Sequence, residues 1–497
     1  MLRKWMGMVL PAFLILFVNA TDVFAAEETK RLWKDESIYY LVVDRFFNGD
    51  LSNDFTVNTK DELSYHGGDF QGVSKKLDYI QTMGFTTIRL GVIFDQYTYS
   101  RSGAETIDFY KPEEHYGTLN EFKQLVKEAH KREIKVIIDF PLTISPEHPW
   151  VNDSAKQNRF IIEDGNESNQ ENNQSVTSPK LNMSDPETAQ YVSEAAIWWL
   201  QKTNIDGYFF SQVDQIPESF WSGLIKKIKS ENKDLYIVGE LSEKASGNLQ
   251  AYKNIGFTSL FVPSTTLKLR DSFKTPNQPL TKLTQDDGER DSAYLIKSMD
   301  GPSFSRFTND IVAANQFPGD RWEPSLTYLF TTPGVPMVDY GSEIAITGDN
   351  PMMDFRADPD LIEFIEKLGR ARNHYLSLTR GDFTLLYENK GMEVYTRSYK
   401  NETTFIALNN TSKKQEIIIP ADKLGSKKQL IGLINNDLIK EQNGNYSLSI
   451  NGEESEIYIV RDDRGINMLN AIVIIVIPNV FLILYFYIWK RGKRTGN

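Results

Sequence analysis

The stretch 204–215, N-I-D-G-Y-F-F-S-Q-V-D-Q, holds groups around which chemistry can be built. Residues 205–210 read as a short buried strand. It ends in a polar turn that carries the hydroxyl of Ser211 and the carboxylate of Asp214. A helical segment precedes it at 186–201 and another follows at 218–229. A strand set between helices, with polar groups at its C-terminal end, is how a β/α barrel presents its reactive side chains.

The segments that must position this strand alternate in the same way. Apolar strands are predicted at 37–47, 86–94, 134–140, 235–239, 259–262, 303–308 and 336–340. Helix 118–131 carries Leu119, Phe122, Leu125, Val126 and Ala129 on one face, and Thr118 with Glu121 forms a capping box at its start. Asp185 is the N-cap of the next helix, with Pro186 in its first turn. The alternation predicts an α/β fold, a (β/α)8 TIM barrel over residues 31–380. A polar stretch at about 145–182 reads as an inserted loop subdomain. From 381 the pattern changes to short alternating strands with Asn/Gly turns. This predicts a C-terminal antiparallel β-sandwich domain over 381–462, followed by a linker at 463–470.

Both ends read as membrane-directed. Residues 1–25 have a basic start, an apolar core and a small-residue cleavage site, the pattern of a signal peptide. Residues 471–489 are almost wholly apolar and end in Tyr485, Tyr487 and Trp489, which predicts one transmembrane helix. The basic tail 490–497 is then cytoplasmic, and the large N-terminal domain is extracellular on a single-pass protein of the cell membrane. A membrane protein partner is compatible with that placement. The chain has no cysteine, which excludes a disulfide framework and suits the surface of a Gram-positive bacterium. Its formal net charge of -12 argues against nucleic acid as a partner and suits neutral ligands or bound cations.

Six stretches carry a resemblance, in order and spacing. They are Y-L-V-V-D-R-F-F-N-G-D, Y-H-G-G-D-F-Q-G, M-G-F-T-T-I-R-L, D-F-Y-K-P-E-E-H-Y-G-T, F-T-T-P-G-V-P-M-V-D-Y-G-S-E-I and M-M-D-F. With them the chain resembles the α-amylase family, glycoside hydrolase family 13, over about residues 35 to 460. The resemblance implies retaining cleavage of α-glucosidic bonds by a carboxylate nucleophile and a carboxylic acid/base. It places the acid/base at Glu240 and the third carboxylate at Asp310, while Asp139 matches the Asp of the first motif. The nucleophile falls at Ser211, its supporting arginine at Phe209, and the two subsite histidines at Ile144 and Asn309. The stacking aromatic pair falls at about Ala104 and Glu105. Asp214 is the nearest carboxylate to the nucleophile position.

The resemblance also bears on cations. The family's central calcium ligands fall at Thr143 and Lys180, so that site is expected to be lost. A second site seen in bacterial members is expected to be kept, with Ca2+ held by Asn48, Asp50, Asn53, Asp54, Gly67 and Asp69. With hydroxyl, aromatic and amide groups at family positions, the first expectation is a catalytically impaired, membrane-anchored pseudoenzyme that binds a glycan or a partner. The alternative is an active surface α-glucan hydrolase or transglycosylase that uses Glu240 and Asp310.

Overall fold

Eight parallel strands close into a barrel, each hydrogen-bonded to the next in chain order. They are β1 (Ile38–Leu41), β2 (Thr87–Leu90), β3 (Lys135–Phe140), β4 (Gly207–Phe210), β5 (Tyr236–Glu240), β6 (Ser259–Phe261), β7 (Leu295–Lys297) and β8 (Val335–Asp339). This is a computed structural model, and it describes residues 30–97, 105–162, 178–243, 245, 249–287, 292–301, 304–348, 350–463 and 468–492. The elements discussed below all lie in the unit Trp33–Asn497.

Alternate residues of each strand face opposite ways, and the two faces build different cores. Ile38, Ile137, Phe209, Val238, Phe261, Ile296 and Met337 belong to one buried cluster drawn from seven strands, the filling of the barrel. Their neighbours, such as Ile138, Tyr208, Phe210 and Ile237, pack outward with the helices. Phe209 therefore faces inward, while the Phe210 ring lies 5.1 Å from that of Trp221 on the helix that follows. β4 and β5 approach so closely at Gly207 that a Cβ there would sit 1.9 Å from the Tyr236 carbonyl oxygen.

The helices that hold these strands begin and end on side-chain signals. Helix α1 (Leu119–Lys131) starts on the Thr118/Glu121 capping box. Helix α2 (Pro186–Thr203) starts on Asp185, whose carboxylate accepts the Thr188 N–H, and ends at Asn204 in the left-handed conformation. Helix α3 (Glu218–Glu231) follows β4. Helix α4 (Pro263–Phe273) follows β6, and α5 (Phe307–Ala313) and α6 (Pro318–Thr331) follow β7. The strand predicted at 303–308 is not formed. Phe307 and Thr308 open helix α5, and the seventh strand is the three-residue run Leu295–Lys297 upstream.

Beyond Arg380 a six-stranded antiparallel sheet and a two-stranded sheet share one core, with Val394, Phe405, Ile417, Leu448 and Tyr458 among its members. The buried Arg321 of α6 ties this domain to the barrel, donating to the Phe273 carbonyl, to Glu453 at 3.1 Å and to Asn410.

The expected transmembrane helix is corrected. Residues Met468–Gly492 do form a helix, α7. Among the described residues, however, no helix is long and apolar enough to cross a membrane. The single-pass topology and the cell-membrane localisation rested on such a span and are corrected with it. The predicted signal peptide, the predicted tail beyond residue 492 and much of the polar insert lie outside the described residues.

Candidate active site

The C-terminal ends of the barrel strands bring together Tyr40 of β1, Arg89 of β2, Asp139 of β3, Phe209 of β4, Glu240 of β5 and Asp339 of β8. Parallel pairing places Asp139 beside Phe209, Phe210 beside Gly239, and Tyr40 beside both Arg89 and Asp339.

Arg89 is the organising charge. Its guanidinium donates to both carboxylate oxygens of Asp139, at 2.6 and 2.8 Å. It also lies 3.3 Å from the centre of the Phe209 ring and 4.3 Å from that of Tyr40. The fork is fully buried, and its attraction to Asp139 keeps it protonated. The arginine that the resemblance places at 209 is thus absent from β4, yet a guanidinium from β2 covers the ring that replaced it.

Glu240 closes β5 and is 6% exposed. Burial lifts its carboxyl above the ordinary glutamate range. The Arg89 charge and a hydrogen bond with Ser211 oppose that shift. Ser211 follows β4 directly and is exposed, so a hydroxyl open to solvent touches a carboxyl that tends to hold its proton. Asp214 is engaged elsewhere. Its two oxygens accept from the Ser242 backbone N–H at 2.7 Å and from the Ser242 hydroxyl at 2.5 Å, which ties the loop after β4 to the loop after β5.

Asp310 lies not at a strand end but in the first turn of α5. Arg270 of α4 donates to it at 2.7 and 2.9 Å, and its side chain remains 34% exposed. Two carboxylates that the sequence reading passed over stand closer to the strand ends. Asp300, after β7, accepts the Ser342 hydroxyl at 2.7 Å and the Phe307 N–H at 2.6 Å. Asp339, the last residue of β8, is pushed up to about 7 by burial and then by the charge of Asp300. Arg306 lies 3.8 Å from Asp300 and 4.7 Å from the Tyr340 ring centre. An arginine inside the apolar run T-T-I-R-L was the signal for Arg89, and an aspartate inside P-M-V-D-Y was the signal for Asp339.

Of the remaining positions carried by the resemblance, Ile144 is wholly buried and Ala104 lies outside the described residues. Glu105 accepts a hydrogen bond from Ser178 at 2.9 Å, and Asn309 accepts one from the Gly348 N–H at 3.4 Å.

The cation positions divide. At the central site Lys180 pairs with Thr143 as an isolated β-bridge, and its ammonium donates to Gln215 at 3.1 Å. That contact joins the insert to the loop after β4. At the second site Asn48 donates to both oxygens of Asp54 at 2.9 Å, while the Oδ1 atoms of Asn48 and Asn53 are buried without a donor. A Cβ at Gly67 would come 2.7 Å from the Asn48 amide, so the backbone there closes tightly on the loop. Asp50 and Asp69 accept from nearby N–H groups: Asp50 from Ser52, and Asp69 from Gly49, Asp50 and Gly72. The fit is that of an oxygen-rich loop with two open amide oxygens. Among the described residues no cluster of three or more His, Cys, Asp or Glu forms a metal centre.

Comparison with known proteins bears on what this arrangement does. Residues 40–175 match the α-amylase catalytic domain, and residues 381–458 match the α-amylase C-terminal domain. The solved α-amylase of Anoxybacillus is 39% identical, with a TM-score of 0.83, and the match covers 88% of this chain and 100% of that one. The α-amylase of Geobacillus thermoleovorans, solved with acarbose, is 38% identical at a TM-score of 0.80, covering 87% and 100%. A β/α-amylase of Paenibacillus polymyxa is 29% identical over 461 residues; the match covers 86% of this chain and 38% of that longer protein. These matches overturn the expected pseudoenzyme, because the relatives aligned along nearly the whole barrel and β domain are amylases. Of the departures at family positions, the one at 209 is accompanied by the Arg89 guanidinium lying over the Phe209 ring.

Proposed function

The chain belongs to the α-amylase family of glycosyl hydrolases, and on that premise we propose that it hydrolyses or transfers α-glucosidic bonds in α-glucans, with Glu240 as proton donor and Asp310 as second carboxylate. The observation that carries the reading is Glu240 itself: a buried, proton-retaining carboxyl at a strand end, in contact with a solvent-open hydroxyl. The acarbose-bound relative supports α-glucans as the substrate class.

The chemistry follows from which groups carry charge. Glu240 gives its proton to the glycosidic oxygen as the bond to the anomeric carbon breaks. Ser211 is hydrogen-bonded to Glu240, and without a dedicated base its hydroxyl is a poor nucleophile toward that carbon. The acceptor, water or a sugar hydroxyl, therefore attacks directly, and its proton passes to Asp310. One displacement inverts the anomeric carbon, whereas a covalent intermediate would retain it. Proton NMR of maltoheptaose cleavage is expected to show the β-anomer first. Early α-anomer would sink the direct displacement. The function itself is tested by release of reducing ends from maltoheptaose by the purified chain. Release no greater than that from Glu240→Gln would overturn it.

We also propose that the 48–69 loop holds one Ca2+, with Asn48, Asp50, Asn53, Asp54, Gly67 and Asp69 as its surroundings. The two open amide oxygens support this reading. The ion would staple the start of the barrel and take no part in the reaction. Calcium at a hundredfold excess over its dissociation constant is expected to stabilise the fold by about 2.7 kcal/mol. Thermal denaturation with CaCl2 and then with EGTA reads this directly. A melting temperature indifferent to both would remove the site.

A further inference from the structure

A groove with an aromatic wall lies on the flank of the barrel, away from the strand ends. It is a cavity of about 530 Å3 bordered by α2, α3 and the strand Thr106–Pro112. Trp198 of α2 is half-buried, and its ring meets that of Tyr110 edge to face, with centres 5.6 Å apart at 76°. A second ring, Tyr191, stands against Tyr110 at 5.6 Å. Two aromatic surfaces at right angles thus form a corner that opens to solvent.

The polar groups around that corner are of mixed sign and incompletely used. Gln201 donates to Glu231 at 3.1 Å across the groove, linking α2 to α3. Among the described residues, the indole N–H of Trp198, the hydroxyl of Tyr110 and the ammonium of Lys227 have no hydrogen-bond partner. Glu194 and Glu231 on the rim repel anions, and the charged rim is unsuited to an apolar protein face. Flat rings combined with free donors and acceptors, and little net charge, fit one chemical class: a neutral polyol with apolar C–H faces. The volume lies within the ~300–1,000 Å3 of clefts that take small ligands.

We propose that this groove is a second glucan site, in which Trp198 and Tyr110 carry the pyranose faces of an α-glucan chain and Gln201, Lys227 and Glu231 bond its hydroxyls. The identity of the glycan rests on the reading given under Proposed function. The site's existence rests on the groove alone. It lies apart from Glu240 and Asp310, so it would hold a polymer to the protein without entering the reaction.

Native electrophoresis of the full chain in gels with and without glycogen tests the site. Wild type and Glu240→Gln are both expected to be retarded. Trp198→Ala is expected to bind about tenfold more weakly, and Trp198→Phe, which keeps a ring, to recover part of the loss. Should Trp198→Ala not fold, the surface pair Gln201→Ala and Lys227→Ala serves instead, with the same expected direction. Wild type that is not retarded, or Trp198→Ala retarded as wild type, would overturn the proposal. Turnover of a short soluble maltoside by wild type reads the strand-end site separately, so failure there leaves the gel result to decide this one.

Discussion

Replacing Glu240 with glutamine is expected to lower turnover of α-glucosidic substrates by about 10²–10⁴-fold, the usual contribution of one positioned acid. The amide keeps the shape and the Ser211 contact but has no proton to give. KM should move little, because nothing that grips the sugar is removed. An aryl glucoside whose leaving group needs no protonation should recover part of the loss. The pH profile supplies an independent reading. Burial lifts the Glu240 carboxyl above its ordinary range, so the active protonated form persists to higher pH than for an exposed glutamate. Activity should fall as pH rises through that raised value, and this descending limb should vanish in Glu240→Gln. Asp339, pushed up to about 7 by burial and the charge of Asp300, is a second raised carboxyl at the strand ends. Asp339→Asn should leave a limb that belongs to Glu240 in place. Equal turnover by wild type and Glu240→Gln would mean that the buried carboxyl at the end of β5 is scaffold.

The barrel was legible because its signals are local. The Thr118/Glu121 box, the Asp185 cap and the apolar face of 118–131 are short-range patterns, and each sits where the helix begins or packs. The seventh strand was misplaced for the same reason. Leu295–Lys297 is too short to show a period, while 303–308 offers more strand-like residues that instead lead into α5. Asp310 is a helix residue paired with Arg270, and Asp300 is the carboxylate that directly follows the strand. The C-terminal β domain was read from Asn/Gly turns, and the strands do begin at Asp382. The membrane reading rested on the apolar run 471–489 with its aromatic end and basic flank, and no described helix meets the length and hydropathy of a span.

Charge exchange between strands is invisible to a one-dimensional reading, and it produces the other large expected effect. Phe209 reads as an arginine lost from β4, but residue 89 is its neighbour once β2 and β4 flank β3. Arg89→Met leaves Asp139 buried with no cation and Phe209 without the guanidinium over its ring. Removing one partner of such a pair costs about 3–5 kcal/mol. Arg89→Lys should recover only part of this, since an ammonium cannot serve both carboxylate oxygens at once. The double variant Arg89→Met with Asp139→Asn should be more stable than Arg89→Met alone, because no unpaired charge remains. Urea denaturation of the four proteins measures all three differences. The same loss reaches Glu240, whose carboxyl Arg89 holds down against burial. In Arg89→Met the Glu240 carboxyl rises further, and the descending limb of activity moves to higher pH. Stability of Arg89→Met within about 1 kcal/mol of wild type, together with an unmoved limb, would show that the fork over Phe209 supports neither the fold nor the acid.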